Sequence, residues 1–175
     1  MTEPDEQLDL VDNNDIKFGT IGRSQIYSLI DNGGGNLRTA CAFIRNKEGH
    51  YWIPRRTADK RIAPNGLDFA MAEHMGVDET YLDAAVRGFS EELNMHIAPR
   101  ELRPIGILGP IPKMPYFFAI YIHETQETPN YNHADFQGAR WMTAQEVIAE
   151  VNAGTPAKDL LVPAIQLILI QEARQ

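Results

Sequence analysis

A chain of 175 residues, 43% hydrophobic and 23% charged, can bury roughly two-thirds of its unfolded surface as one domain. A net charge of −8 excludes general nucleic-acid binding, which needs a basic surface, so an anionic ligand must meet a local basic cluster or a bound cation. No apolar run approaches the ~18 residues of a membrane span, and the acidic start MTEPDEQLDL lacks a signal-peptide layout, so a cytoplasmic protein is expected.

Residues 1–6 are polar and expected to fray. Leu8–Val11 and Ile16–Ile21 read as short strands joined by the turn residues Asp12–Asp15, an N-terminal β-hairpin. Arg23–Ile30 suits helix or strand equally. Asp31–Asn36 is a glycine-rich connector, and no Gly-Lys-Ser/Thr follows to make it a phosphate loop. The expected division is therefore a hairpin and loop at 1–35 and the main body at 36–175. Leu37–Arg45 and His50–Pro54 form a second hairpin around Asn46–Gly49, and the single cysteine, Cys41, is a packed strand thiol rather than a nucleophile. Arg55, Arg56, Lys60 and Arg61 then place four cations in seven residues of an acidic protein. Such a cluster is either a solvated loop or a phosphate clamp, since guanidinium forks match phosphate oxygens. Gly66–Ala72 is read as a strand.

The stretch AEHMGVDETYLDAAVRGFSEELNM, Ala72–Met95, organises the remainder. Thr80 is a suitable N-cap with Asp83 placed to answer it, and Leu82, Ala85, Val86, Phe89 and Leu93 give one apolar helical face. Glu91 and Glu92 lie off that face, about 100° apart. Adjacent carboxylates on a rigid helix suit a hard cation such as Mg²⁺, the plainer alternative being a solvated acidic helix end. Beyond it, Ile97–Arg103 reads as connector, Pro104–Leu108 as a strand, Pro110–Pro115 as a stiff loop and Tyr116–His123 as a strong strand. One face of that last strand must be core, while aromatics of the other can pack on a helix or stack on a base. Gly138–Met142 is a strand, Thr143 with Glu146 caps a helix ending at Gly154, and Pro163 begins a very apolar final helix to Ala173. That helix face suits either the monomer core or a homodimer interface.

Alternating strands and helices imply an α/β layered domain. Ala72–Met95 resembles the Nudix hydrolase signature: Gly, five residues, Glu, seven residues, then Arg-Glu-apolar-x-Glu-Glu-x-Gly-apolar. Glu79, Arg87, Phe89, Glu91, Glu92 and Met95 stand at matching positions, while Glu73, Gly88 and Asn94 replace Gly, Glu and Gly. The resemblance covers residues 36–155 and implies an α/β/α sandwich around a mixed sheet. It also implies a Mg²⁺- or Mn²⁺-dependent hydrolase that cleaves a small nucleoside-diphosphate-linked or related pyrophosphate compound. Carried onto this sequence, Glu91 and Glu92 hold metal, Glu79 supports the site, and Arg87 orients the carboxylates. Gly88 removes a carboxylate that many members use as metal ligand or general base. Either Glu73 substitutes for it, with Asp78 as second choice, and hydrolysis is slow, or the chain binds a nucleotide or diphosphate without efficient turnover. WIPRRTADKRIAPNGLDF resembles the isopentenyl-diphosphate-isomerase-like branch, whose paired Arg and following Lys lie beside substrate; this assigns Arg55, Arg56, Lys60 and Arg61 to phosphate binding. Isomerisation itself needs a Cys in the strand before the signature, and LDFAMAEH has none. His74 corresponds to that branch's metal-binding histidine or is a solvated loop residue.

Overall fold

The computed structural model describes residues 5–174. The N-terminal hairpin is present as β1 (Gln7–Val11) and β2 (Lys17–Gly22), paired antiparallel. The expected fraying of residues 1–4 lies outside the described residues, but Asp5 and Glu6 are tied down: Ser24 N and Oγ donate to Asp5 and Arg23 Nη1 donates to Glu6 at 2.5 Å. The ambiguous segment after β2 is helical, a 3₁₀ turn at Arg23–Gln25 running into α1 (Ile26–Asn32). Three consecutive glycines at positive φ, 72°, 119° and 140° at Gly33–Gly35, then return the chain to the sheet.

Six strands form the mixed sheet. They are β3 (Leu37–Arg45), β4 (Tyr51–Arg56), β5 (Met71–His74), β6 (Leu102–Leu108), β7 (Tyr116–Glu124) and β8 (Phe136–Met142). Their order is β6-β7-β3-β4-β8, with β5 also paired to β3. The β3–β7 pair is parallel and the others are antiparallel. One face carries α2 (Tyr81–Leu93), packed over Ala40, Ala42, Ile44 and Trp52. The opposite face carries α3 (Ala144–Asn152) and α4 (Leu161–Glu172), packed over Cys41, Phe43, Ile120 and Ile122. The result is an α/β/α sandwich, and both faces of β7 are core because helices cover both sides of a central strand.

Several boundaries differ from expectation, β4 running on to Arg56 and β8 starting at Phe136 among them. The strand read at Gly66–Ala72 is displaced to Met71–His74, because Asp68, 2% exposed, is turned inward to Arg56. The strand β6 starts two residues early, at Leu102. α4 begins at Leu161, and Pro163 sits in its first turn, where a missing N–H is no loss. Leu161, Ala164, Ile165 and Ile168 of α4 are buried within the monomer, leaving Ile170 half-exposed. Among the described residues no helix is long and apolar enough to cross a membrane.

Candidate active site

The helix α2 is built as its sequence dictates. Thr80 accepts from Asp83 N, Asp83 returns a bond to Thr80 N at 3.2 Å, and Ala84, Ala85, Phe89 and Leu93 are buried against the sheet. Its C-terminus closes on Asn94 in the left-handed region, φ 52°, with Met95 N donating to Phe89 O at 3.0 Å. Asn tolerates that conformation better than other side-chain-bearing residues, so Asn94 replaces a glycine at small cost.

Arg87 gathers the acidic side chains. Its Nε and Nη2 form a fork on Glu79 at 2.9 Å each, Nη2 also donates to His74 O at 2.8 Å, and Nη1 lies 3.3 Å from Glu91 and 3.6 Å from Glu73. Glu79 is further held by Gly76 N at 2.8 Å, and the Arg87 fork draws its pKa below the usual carboxylate range. Burial does the opposite to Glu73, raising its pKa against the pull of Arg87 and Arg23. Glu92 differs from its neighbours: among the described residues it does not share the Arg87 pairing of Glu79 and Glu91, and burial pushes it up to about 8. Burial pushes His74 down to about 3, so its ring is neutral at physiological pH.

Gly88 and Glu73 explain each other. A Cβ at position 88 would lie 2.5 Å from Met71 Sδ, 2.8 Å from Met71 Cγ and 3.1 Å from Glu73 Cβ. The volume that a side chain at 88 would need is occupied by two residues of β5, one of them the carboxylate that replaces the signature's first glycine. A side chain at 88 would therefore compete for space with β5, most closely with Met71 and next with Glu73.

Two clefts flank this ridge. One, of about 660 Å³, opens toward the N-terminal hairpin and is bordered by Glu6, Asp78, Glu79 and Asp83. The other, of about 700 Å³, is bordered by Glu73, Glu91 and Glu92 on one side and Arg56, Lys60 and Lys158 on the other. Only the second opposes carboxylates with several cations. In it, the buried Asp68 pairs with Arg56 and lies 3.8 Å from Lys158 Nζ, while Lys60 is 2.6 Å from Asp135.

The structure thus brings together Glu73, Glu79, Arg87, Glu91, Glu92, Arg56 and Lys60. Arg55 is elsewhere, since it donates to Asn65 O and to Glu150, as alternation along β4 requires. Arg61 is exposed and lies over the Tyr27 ring at 3.4 Å from its centroid. Asp78 points to Lys17 at 2.6 Å, away from Glu92. Cys41 is fully buried opposite Ala72, and burial raises its thiol pKa strongly, as fits a packed residue. Of the segments outside the signature, 110–115 contributes Lys113 and Met114 and 124–135 contributes Asn132 and Asp135 to the second cleft, whereas 33–36 contributes none of its bordering residues. Arg23, Thr39, Asp68 and Lys158 border it unforeseen. No motif carries them, because each comes from a different element.

The donor set suits a hard cation, being all carboxylate, with Glu92 outside the Arg87 pairing. Among the described residues no three acidic or imidazole groups converge into a ready cage. Mg²⁺ commonly binds through one or two carboxylates, completing its shell with water and substrate phosphates, so Glu91 and Glu92 fit that mode.

Comparison with known proteins agrees with this geometry. The NUDIX domain family model matches residues 35–164. An uncharacterized Nudix hydrolase of Nostoc sp. is 38% identical over 163 residues, spanning 93% of this chain and 95% of its own length. A Nudix hydrolase of Deinococcus radiodurans is 34% identical over 155 residues, 88% of each chain. The crystal structure of DR0079 from that organism superposes with a TM-score of 0.80 at 33% identity, covering 92% of this chain and 98% of that one. A more distant likeness, of fold alone, is to a bifunctional NMN adenylyltransferase/ADP ribose pyrophosphatase of Francisella tularensis complexed with AMP and a Mn ion. Its TM-score is 0.60 at 16% identity, covering 85% of this chain and 45% of that one. The altered signature, the sandwich that presents it and these relatives lead to one assignment: the chain belongs to the Nudix hydrolase family.

Proposed function

We propose that the protein is a metal-dependent hydrolase of a phosphoanhydride bond in a small pyrophosphate compound such as a nucleoside diphosphate derivative. The observation that supports this reading is that β5 packs against Gly88 and carries the Glu73 carboxylate beside Arg87, where it would stand in for the acid missing from α2. Glu91 and Glu92 would hold Mg²⁺ or Mn²⁺, and the Mn ion in the Francisella fold neighbour motivates including the latter in assays. When bound, such a cation neutralises phosphate charge and acidifies water. Arg56, Lys60 and Lys158 bind phosphate oxygens across the cleft, and Arg87 keeps Glu79 and Glu91 in place. Glu73, its pKa raised by burial, accepts the proton of the attacking water as that water's oxygen bonds phosphorus and the bridging P–O bond breaks.

Steady-state turnover of nucleoside di- and triphosphates, sugar nucleotides and dinucleotides with Mg²⁺ or Mn²⁺ tests this. Glu73→Gln should lower kcat by about 10²–10⁴-fold, the usual contribution of a general base. Undiminished turnover in that variant would remove Glu73 from the mechanism. A second reading, binding without turnover, is favoured by Gly88, which leaves α2 without one of the signature's carboxylates. It requires thermal stabilisation by these compounds with no product formed, and stoichiometric product release would exclude it.

A further inference from the structure

The N-terminal hairpin precedes residues 35–164, the span of the family match, yet it is tied to the site. Three ties reach from it to the loop and first turn that join β5 to α2. Leu8 of β1 forms an antiparallel bridge with Gly76. The Lys17 ammonium of β2 lies 2.6 Å from Asp78 and 2.7 Å from Asp9. Asp15, between the two strands, accepts from the Tyr81 hydroxyl at 3.0 Å and from Arg38 Nε at 2.6 Å. The ties fall at positions 76, 78 and 81 and so straddle Glu79.

Their anchorage lies in the interior. The Asp9 side chain is 2% exposed, and its Oδ1 has no hydrogen bond among the described residues, so the Lys17 ammonium is its close counter-charge. A buried carboxylate holds such a cation firmly, because leaving the charge unpaired inside the protein is strongly unfavourable. Lys17 therefore carries a fixed positive charge to Asp78, whose backbone sits in the left-handed region at φ 60°. An exposed pair alone contributes little, but three ties within six residues leave the loop few conformations. What the loop delivers is the Gly76 N–H, which donates to Glu79 Oε2 at 2.8 Å and completes the Arg87 fork on that carboxylate. Arg87 Nε and Nη2 are thereby occupied, and only Nη1 is left near Glu91 and Glu73.

We propose that the hairpin is a positioning element for Glu79, acting through Lys17, Asp15 and Tyr81, and so for the carboxylates that Arg87 orients. Loosening the loop releases Glu79 and frees two Arg87 donors to pair with Glu91, which withdraws that carboxylate from a cation. The proposal rests on the metal-binding part of the hydrolase reading, while the ties themselves can be tested apart from it.

Two variants cut the ties at different strengths. Tyr81→Phe removes one hydroxyl and keeps the ring, whereas Lys17→Met removes the cation between Asp9 and Asp78. Amide hydrogen exchange of metal-free protein in EDTA reads the loop directly. In both variants the Gly76 amide should exchange about threefold or more faster relative to Phe89 in the interior of α2, the scale of one hydrogen bond. Taking the ratio cancels any global loss of stability. Calorimetric titration with Mn²⁺ reads the consequence. Each variant should weaken Mn²⁺ binding about threefold or more, but should add nothing in a Glu79→Gln background, where the same interaction is already lost. Lys17→Arg, which keeps a cation between the two carboxylates, should restore both readings. A Gly76 amide indifferent to both variants would overturn the proposal. So would an equal loss of Mn²⁺ affinity with and without the Glu79 carboxylate, which marks the hairpin as generally stabilising. Wild type that takes up no Mn²⁺ would reject the metal reading, and the exchange ratio would then decide the hairpin alone. Coupling of the variants to Glu79 without any turnover of phosphorylated compounds would uphold the hairpin and reject hydrolysis; turnover without that coupling would do the reverse.

Discussion

Gly88 has no side chain, and its surroundings show why one cannot simply be added. Replacing glycine by alanine in an exposed helix interior normally gains about 1 kcal/mol. At position 88 the new Cβ meets Met71 and the Cβ of Glu73, and overpacking of this kind costs about 1–3 kcal/mol. Gly88→Ala should therefore give a net loss of about 1 kcal/mol in urea denaturation, and Gly88→Glu more. Restoring the signature acid consequently needs both changes. Glu73→Gly with Gly88→Glu should recover stability relative to Gly88→Glu alone, and a double variant no more stable than the single would show that the two positions do not compete for space. Asn94 and Glu73 looked like equal departures in the sequence. Structure separates them: Asn94 is a tolerated left-handed cap, while Glu73 puts a buried carboxylate beside Gly88 and Arg87.

At the scale of the element, β5 is four residues long yet carries Glu73 toward α2 and His74 toward the opposite face, as strand alternation demands. His74 gives the strand a pH signature. Its ring stays neutral in the fold down to about pH 3, whereas in the unfolded chain it takes up a proton below its ordinary value of 6.5. The folded pKa is the lower one, so the stabilising contribution is complete above pH 6.5 and is lost progressively as the pH falls toward 3. In metal-free protein Glu92, raised to about 8, takes up a proton in the fold over the same range and contributes the opposite slope, so the His74 contribution is read as a difference. Between pH 7 and 5 in EDTA the stability of wild type relative to His74→Gln should fall with a slope approaching about 1.4 kcal/mol per unit; a difference that does not change with pH would place the His74 titration elsewhere. The helix α2 offers a simpler check, since Thr80→Ala removes an N-cap and should cost about 1 kcal/mol in thermal or urea denaturation.

Across the whole molecule, an acidic chain assembles a basic wall from distant parts. Arg56 comes from β4, Lys60 from the loop after it and Lys158 from the segment between α3 and α4, with Asp68 buried between Arg56 and Lys158. Among the described residues the Lys158 ammonium has a single, 3.8 Å ionic contact, to Asp68. Lys158→Met should raise KM for the hydrolysed substrate by about 10–100-fold, the range of a charge-assisted hydrogen bond, with a smaller change in kcat. A KM that does not move would assign Lys158 to structure alone.

The sequence alone determined everything that depends on local spacing. Capping residues and helical periodicity placed α2 and α3, β-branched and aromatic runs placed β3 and β7, and the signature register identified Glu79, Arg87, Glu91 and Glu92. These features are legible because each is fixed by residues within a turn or two of one another. Which of the four cations after β4 face the cleft, that Asp68 and Lys158 join them, and that Thr39 lies in a row with His74 were decided only by tertiary structure. Those facts depend on strand register and on packing between segments up to a hundred residues apart, and no local spacing encodes them. Gly88 joins the two levels. Its identity was visible as a gap in the signature, but that Met71 and Glu73 of β5 crowd the gap follows only from the packing of the strand against the helix.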